Sequence, residues 1–437
     1  MQVSRWKVLG AAAAVALVAG ACTGGTGGTG GTDSADGASA PPSTSDPAEE
    51  VSLKWLIEEP EDAEALAALE EHIAEFESAS GIDIRIDALP FDTMRTILQT
   101  QLRAEEGPDV FSWGSGPGFG GALIEAGLVH DITDAYAEHG WDVYDFAVDR
   151  VTVDGKIYGI PGEMETIGVF YNADIFDELG LDVPQSLEEF RTAMATIRDA
   201  GLVPLAVGDK EGWEGGHLLS MALSSDIESD GLEALFAGEG SWDSPEVVSA
   251  LELWRDFDEE GFLPDSPTAV DYDGSIAMFY SGEAAMIPTG SWLVGEIDDN
   301  TDFEVGYIPF PGPDGQGIFA GGLGSGPFIS ANTAHKDAAV EFLDFLASPE
   351  HAQWTVENLH TIPPIPIDTG ALEVSPLLEQ VLEDIAGLSA GGDFGYNIDV
   401  MTSDQFNEAM YDGMQALFTG QATPQEVAAR LEAAASS

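Results

Sequence analysis

From Val51 onward the chain alternates runs that suit strands with runs that suit helices, and this order restricts it to few architectures. Residues 51–57 form an apolar, strand-like run. Residues 62–80 follow with Leu66, Leu69, Ile73 and Phe76 at helical spacing. Residues 82–86 alternate apolar and polar side chains, residues 91–104 are again helical, residues 109–113 give a third strand and residues 120–126 a third helix. A β-α-β-α-β order predicts an α/β fold with a mostly parallel sheet, because each crossover between parallel strands must pack on the sheet. Ligands in such open sheets bind beyond the C-terminal ends of the strands.

The second half is punctuated by helix starts. Ser186 and Glu189 make a capping box before a helix running to Asp199, and Thr423 and Glu426 make another near the C-terminus. Ser244-Pro245 and Ser348-Pro349 each place a cap and a first-turn proline before a helix. No fixed-period repeat is visible, which excludes solenoids and propellers.

Size and charge narrow the class further. Roughly 390 residues remain from Val51, more than one compact core usually holds, so two large lobes are expected. An apolar content of 44% and nine tryptophans fit a well-packed globular body. All 79 acids lie after residue 22 and two of the 14 bases lie before it, so the chain from Cys22 on carries a net charge of −67. Such a surface repels phosphates, which excludes nucleic acid as a partner and disfavours binding of the body to anionic lipid. It suits a saline or alkaline habitat, where salt screens self-repulsion.

Cys22 is the one cysteine. Arg5 and Lys7, an apolar run over residues 8–18 and the small residues Ala19-Gly20-Ala21 precede it, the three-part layout of an export signal over residues 1–21. A cysteine after small residues resembles the lipobox of bacterial lipoproteins, although Ala19 stands where that family usually has leucine; an ordinary cleaved signal with an unpaired thiol is the alternative. Residues 22–50 are rich in Gly, Thr, Ser and Pro without apolar periodicity, and read as a linker spanning on the order of 25–30 Å. With a single cysteine, neither a disulfide nor a thiolate metal site supports the fold.

Three further stretches carry a resemblance. Gly107-Pro108-Asp109-Val110-Phe111-Ser112-Trp113 leads to Gly127-Leu128-Val129-His130-Asp131-Ile132; Asp154-Gly155-Lys156-Ile157-Tyr158-Gly159-Ile160-Pro161 leads to Tyr171-Asn172-Ala173-Asp174-Ile175-Phe176; Ser281-Gly282-Glu283-Ala284-Ala285-Met286 leads to Gly290-Ser291-Trp292. In order and spacing they resemble the extracellular sugar-binding proteins of ABC importers, the group that includes maltose-binding protein. The resemblance covers the chain from Val51. It implies a two-lobed, periplasmic-binding-protein-like α/β fold with mostly parallel sheets and a hinge. The implied crossings lie near Ile160-Pro161, residues 271–274 and residues 327–330. Residues 51–160 and 275–327 would then form the first lobe, and residues 161–274 and 328–437 the second. It implies no cofactor, a monomer that closes on a sugar ligand, and a membrane permease that reads the closed shape.

A sugar presents hydroxyls and flat C–H faces, so its site needs carboxylates or amides beside aromatic rings. Trp113 ends a strand at the ligand edge and matches a sugar-contacting tryptophan of the family; core packing is its other reading. Glu58 and Glu59 follow the first strand, and Glu163 and Glu165 follow the Gly159-Ile160-Pro161 crossing. Trp213 lies in a glycine-bracketed stretch after an expected strand over residues 202–207, and Trp292 matches a family position close to the ligand. Gly322, within the glycine-rich residues 321–326, would let backbone approach a ligand. Tyr396 completes the candidates.

Other motifs lead nowhere. Gly116-Pro117-Gly118-Phe119-Gly120-Gly121 matches a dinucleotide fingerprint, but follows the third strand rather than the first. The seven histidines show no zinc spacing, and residues 271–274 resemble only half of a calcium loop. The expected function is a lipid-anchored receptor on the extracellular face of the cell membrane that delivers a mono- or oligosaccharide to an ABC importer. A receptor for a cationic solute such as a polyamine and a surface glycoside hydrolase are the alternatives.

Overall fold

A computed structural model describes residues 51–437 apart from 61–62, 105–106, 314, 316, 368–371, 373, 390–394 and 437. The signal segment, Cys22 and the linker lie outside the described residues.

The first sheet has the order β11-β3-β1-β2, built from β1 (Ser52–Glu58), β2 (Asp83–Leu89), β3 (Val110–Gly114) and β11 (Ser325–Ile329). β1 runs parallel to β2 and β3, and β11 antiparallel to β3. Alternation along β1 builds two cores. Leu53, Trp55 and Ile57 pack with Leu69, Ile73 and Phe76 of the helix Ala63–Ser80. Leu56 points the other way, into Met94, Leu98 and Leu102 of the helix Phe91–Arg103. A strand with apolar residues on both faces is thereby covered on both. Beside this sheet β4 (Thr152–Val153) and β5 (Lys156–Ile157) form a small hairpin.

The second sheet centres on β6 (Met164–Asn172). It follows the order β10-β6-β8-β7, with β7 (Val203–Leu205), β8 (Ala284–Gly290) and β10 (Ala320–Leu323), and β9 (Val305–Ile308) also pairs with β6. β6 is antiparallel to β8, β9 and β10, and only β7 and β8 are parallel, so this sheet is mixed where a mostly parallel one was expected. Both faces are again covered: Ile167 and Val169 join one core, Met164 and Phe170 the other.

The pairing corrects the expected division of the chain. β8, β9 and β10 belong to the second sheet, although residues 275–327 were assigned to the first lobe. Residues 336–359, assigned to the second lobe, supply the helices Lys336–Leu346 and Pro349–Leu359 that pack on the first sheet, where Phe342 meets Trp55 at 5.1 Å and Trp354 stacks on His72 at 4.2 Å. The reason is β8, whose seven residues are all buried and find their partners only in β6 and β7. Asp271, expected at a crossing, instead caps the helix Tyr272–Tyr280 by accepting from the Gly274 N–H at 3.2 Å. The chain passes between the sheets at residues 160–163, at Gly324 and between the helix ending at Leu359 and the helix Pro376–Ser389.

Candidate functional site

The crossing at residues 160–163 delivers Glu163 and Glu165 to one face of the strand, since side chains two apart in a strand share a face. The register sets Gly322 opposite Glu165, and the Gly324 N–H donates to the Glu163 carbonyl at 2.9 Å. With no side chains on these glycines, both carboxyl groups settle over them. A Cβ at Gly322 would lie 3.7 Å from Glu165 Oε2, and one at Gly324 would lie 2.9 Å from Glu163 Oε1. The Oε1 atoms of both carboxyls crowd the same point above Gly324, which sets the two groups side by side. Burial pushes Glu163 up to about 7, partly offset by the bond from Glu165. Glu165 is raised well above the carboxylate range, first by burial, then by the charge and hydrogen bond of Glu163, with Glu58 and Asp399 adding. Glu58 lies exposed at the end of β1 in the first lobe, and Asp399 is on the short helix Ile398–Met401 in the second. Glu59 is exposed beside Glu58 and its N–H is bonded to the Leu89 carbonyl.

Asp399 is 4% exposed. Its Oδ2 accepts from the Tyr411 hydroxyl at 2.9 Å and lies 3.6 Å from His217 Nε2, while Oδ1 has no partner. His217 also meets Asn397 Nδ2 at 3.2 Å, and a Cβ at Gly322 would stand 3.5 Å from the Asn397 Cβ. Through His217 the carboxyl floor joins an aromatic wall. Trp213 lies one helical turn before His217, edge-on to it at 5.0 Å and to Tyr272 at 4.8 Å. Trp292 Nε1 donates to the Tyr272 hydroxyl at 2.8 Å, and that oxygen also bonds to Thr289 Oγ1 at 2.8 Å. Both indoles keep part of their surface open.

The glycine-bracketed stretch of Trp213 is not a loop: Trp213 opens a helix that kinks at Glu228 before ending at Phe236. Gly212 supplies the cap conformation at φ 90°, and Asp209 Oδ1 accepts from the Gly215 N–H at 2.8 Å. Asp209 is fully buried and burial pushes it up to about 8; its Oδ2 and the Oε2 of the neighbouring buried Glu214 have no partners.

The first lobe touches this assembly through its glycine-rich turn. A Cβ at Gly118 would strike the Asp399 carbonyl at 2.5 Å and Asn407 Nδ2 at 2.6 Å, so only glycine allows that approach. Arg95 lies over the Tyr411 ring at 5.5 Å, and Arg150 over the Tyr396 ring at 5.0 Å, both pairs spanning the lobes. Tyr396 donates its hydroxyl to Glu233 Oε1 at 2.6 Å, so it belongs to this clasp and not to the aromatic wall. Trp113 is corrected to the core reading: it is 7% exposed, stacked on Phe91 at 5.5 Å and edge-on to Phe119 at 5.8 Å.

Of the candidates, then, the fold gathers Glu58, Glu163, Glu165, Gly322, Trp213 and Trp292, and leaves Trp113 behind them. Tyr272, His217, Asn397 and Asp399 were missed. The spacing of Trp213 and His217 on one helix face was a readable signal; the approach of Asn397 to Gly322 was not. A hollow of about 320 Å³ lined by Tyr307, Ile308, Phe319, Gln380 and Asp384 includes none of the candidates. Among the described residues no group of three or more His, Cys, Asp or Glu could hold a metal ion, and no helix is long and apolar enough to cross a membrane.

Residues 60–353 match the family described as bacterial extracellular solute-binding proteins. The chain is 26% identical over 297 residues to a multiple sugar-binding protein of Streptococcus mutans, covering 66% of this chain and 69% of that one. It is 23% identical to a galactooligosaccharide-binding protein of Bacillus subtilis, covering 70% and 72%. The solved structure of a chitin oligosaccharide binding protein superposes with a TM-score of 0.79 at 25% identity, covering 89% of this chain and 98% of that one.

Proposed function

We propose that this chain, which belongs to the bacterial extracellular solute-binding protein family, captures a mono- or oligosaccharide between its two lobes and delivers it to the permease of an ABC importer. The observation that carries the reading is the pairing of an aromatic wall, Trp213, Tyr272 and Trp292, with a floor of hydrogen-bonding groups, Glu163, Glu165, Asn397 and Asp399. Rings stack on the C–H faces of a sugar and the polar floor takes its hydroxyls. The sugars named for the relatives above are consistent with it. Lipidation at Cys22 would hold the body outside the cell on its linker, as a monomer.

The chain binds its sugar and does not cleave it. A glycosidase holds its two carboxyls about 5 Å or more apart across the scissile bond, whereas Glu163 Oε1 and Glu165 Oε1 crowd the same point above Gly324. A cationic solute is the second reading, favoured by the carboxyls of Glu163 and Glu165 side by side above Gly324, with the charges of Glu58 and Asp399 acting on Glu165. A thermal-shift screen of residues 51–437 against sugars, polyamines and amino acids separates these. Saturation at about 100 times Kd adds roughly 2.7 kcal/mol of stability. Stabilisation by sugars, with no new reducing ends after prolonged incubation, is the expected result. Stabilisation by polyamines alone, or turnover, would displace the proposal.

A further inference from the structure

The aromatic wall depends on the stretch Thr289-Gly290-Ser291-Trp292, whose first three residues each bear on the placement of the last. Trp292 follows the end of β8 in a single tight turn, Ser291–Leu293. A Cβ at Gly290 would fall inside the six-membered ring of the Trp292 indole, so the indole lies directly on the Gly290 backbone and only glycine leaves room for it. Ser291 Oγ accepts from the Thr166 N–H at 3.1 Å, which ties the turn to β6 next to Glu165. Thr166 is itself held, since its carbonyl accepts from the Tyr307 hydroxyl at 2.7 Å. Thr289 is 1% exposed, and its Oγ1 shares a hydrogen bond of 2.8 Å with the Tyr272 hydroxyl. An indole N–H can only donate, so the Trp292 Nε1 bond of 2.8 Å makes that same Tyr272 oxygen an acceptor. Tyr272 thus stands between a buried hydroxyl and the edge of an indole. Its own N–H is donated to Glu211 Oε2 at 3.3 Å, and its ring is edge-on to Trp213 at 4.8 Å.

We propose that Thr289 is a positioning residue of the sugar site: acting through the Tyr272 hydroxyl, it fixes the plane in which Trp292 meets the ligand. An indole turns about its side-chain torsions, and any freedom still left to it is lost on binding and subtracted from affinity. Gly290 stops the ring on one side, and the Tyr272 oxygen holds its nitrogen on the other. That oxygen needs an anchor of its own. Thr289 supplies it from inside β8, at the position paired with Gly168 of β6. Wall and floor are thereby set by one stretch of backbone, since Ser291 bonds beside Glu165 while Thr289 reaches Trp292 through Tyr272. Thr289 is too deeply buried to touch a ligand, so its effect on binding passes through Tyr272 and Trp292. The inference rests on the reading of this wall as the sugar-stacking surface, and it deepens that reading by naming what holds the surface in place.

The test starts without a sugar. In the chain from residue 22 onward carrying Cys22→Ser, exchange of the Trp292 indole hydrogen with deuterated solvent is followed by NMR, the resonance being assigned by its loss in Trp292→Phe. The Trp254 indole, fully buried and donating to the Leu218 carbonyl at 2.8 Å, is the internal control. Thr289→Val and Tyr272→Phe should each speed exchange at Trp292 about tenfold, the scale of one net hydrogen bond, and leave Trp254 unchanged. Thr289→Ser, which keeps the hydroxyl, should return Trp292 to the parent rate. Titration with N,N′-diacetylchitobiose and with a galactotriose, read on the same resonance, should show binding weakened roughly three- to tenfold in Thr289→Val and restored in Thr289→Ser. Exchange at Trp292 that ignores Thr289→Val, exchange that rises equally at Trp254, or a serine variant as fast as the valine one overturns the inference. Faster exchange at unchanged affinity overturns it too. Should Thr289→Val not fold, Thr289→Ala carries the same test. A parent protein blind to both sugars would sink the sugar reading and leave the role of Thr289 to be judged by exchange alone.

Discussion

Replacing Asp209 by asparagine tests how the second lobe accommodates a carboxyl group at the start of the helix that Trp213 opens. Asp209 is 0% exposed; Oδ1 caps the helix through the Gly215 N–H at 2.8 Å, and Oδ2 has no partner. Burial lifts the group from 3.8 to about 8, against the opposing effect of the Gly215 bond, with the charge of Glu211 adding to the rise. A carboxyl raised in the fold is protonated there while the unfolded chain ionises. Its destabilising effect therefore grows from pH 3.8 upward and levels off above pH 8. At about 1.4 kcal/mol per unit, the penalty is roughly 2 kcal/mol near pH 5.5 and roughly 5–6 kcal/mol near pH 8.5. The amide of the variant keeps the cap oxygen, removes the ionisation and puts an N–H₂ group where Oδ2 now has no partner. The advantage of Asp209→Asn in urea unfolding, followed by tryptophan fluorescence, should therefore increase by about 3 kcal/mol between those two pH values. Both lie above the isoelectric point of about 4.1, where the protein would precipitate. An advantage that is flat with pH, or a variant less stable than the parent near pH 8.5, would refute the reasoning and show Asp209 ionised as a helix cap.

Three further outcomes are expected. Trp213→Ala and Trp292→Ala should each weaken sugar binding roughly tenfold or more, measured by calorimetry, because ligand-facing aromatics dominate such contacts; a lowered Tm with unchanged affinity would return both to the core. Arg150→Ala removes the guanidinium over Tyr396 and one of the two aromatic clasps between the lobes, which should speed ligand release several-fold in stopped-flow measurements with little change in association; equal release rates would show the clasp to be idle. Cys22→Ser should move the protein from the membrane fraction to the soluble fraction, and association that survives the substitution would remove the lipid anchor from the account.

The first lobe was readable because its signals are local. In β1 the alternation of Leu53, Trp55 and Ile57 against Leu56 already describes a strand covered on both faces, and the structure assigns those residues to two different cores. The caps at Ser186, Ser244, Ser348 and Thr423 each accept the backbone bond their spacing announces. Glu163, Glu165 and Gly322 were legible for a related reason: two acids beyond a crossing and a glycine run each predict an open backbone face. That they lie on top of one another is set by the register of β6 with β10, some 157 residues apart in the chain.

Sequence by itself determined what depends on neighbours along the chain: where helices start, which strands have two apolar faces, that the body is acidic, and that the motifs resemble a solute receptor. Tertiary structure alone decided what depends on strand pairing across long separations. β8 carries no alternation, since all seven residues are buried, so nothing local says which sheet accepts it, and the stretch from β8 to the end of β10 at Leu323 was placed in the wrong lobe. The glycine-rich turn shows the same limit. Its spacing permits a phosphate loop as well as a close lobe contact, and the approach of Asp399 and Asn407 to Gly118 is what selects the second. Trp113 ends a strand at the ligand edge, as the sequence implied, yet Phe91 and Phe119 pack against it and make it core. A side chain's neighbours in space, not its position on a strand, decide whether it meets ligand or protein.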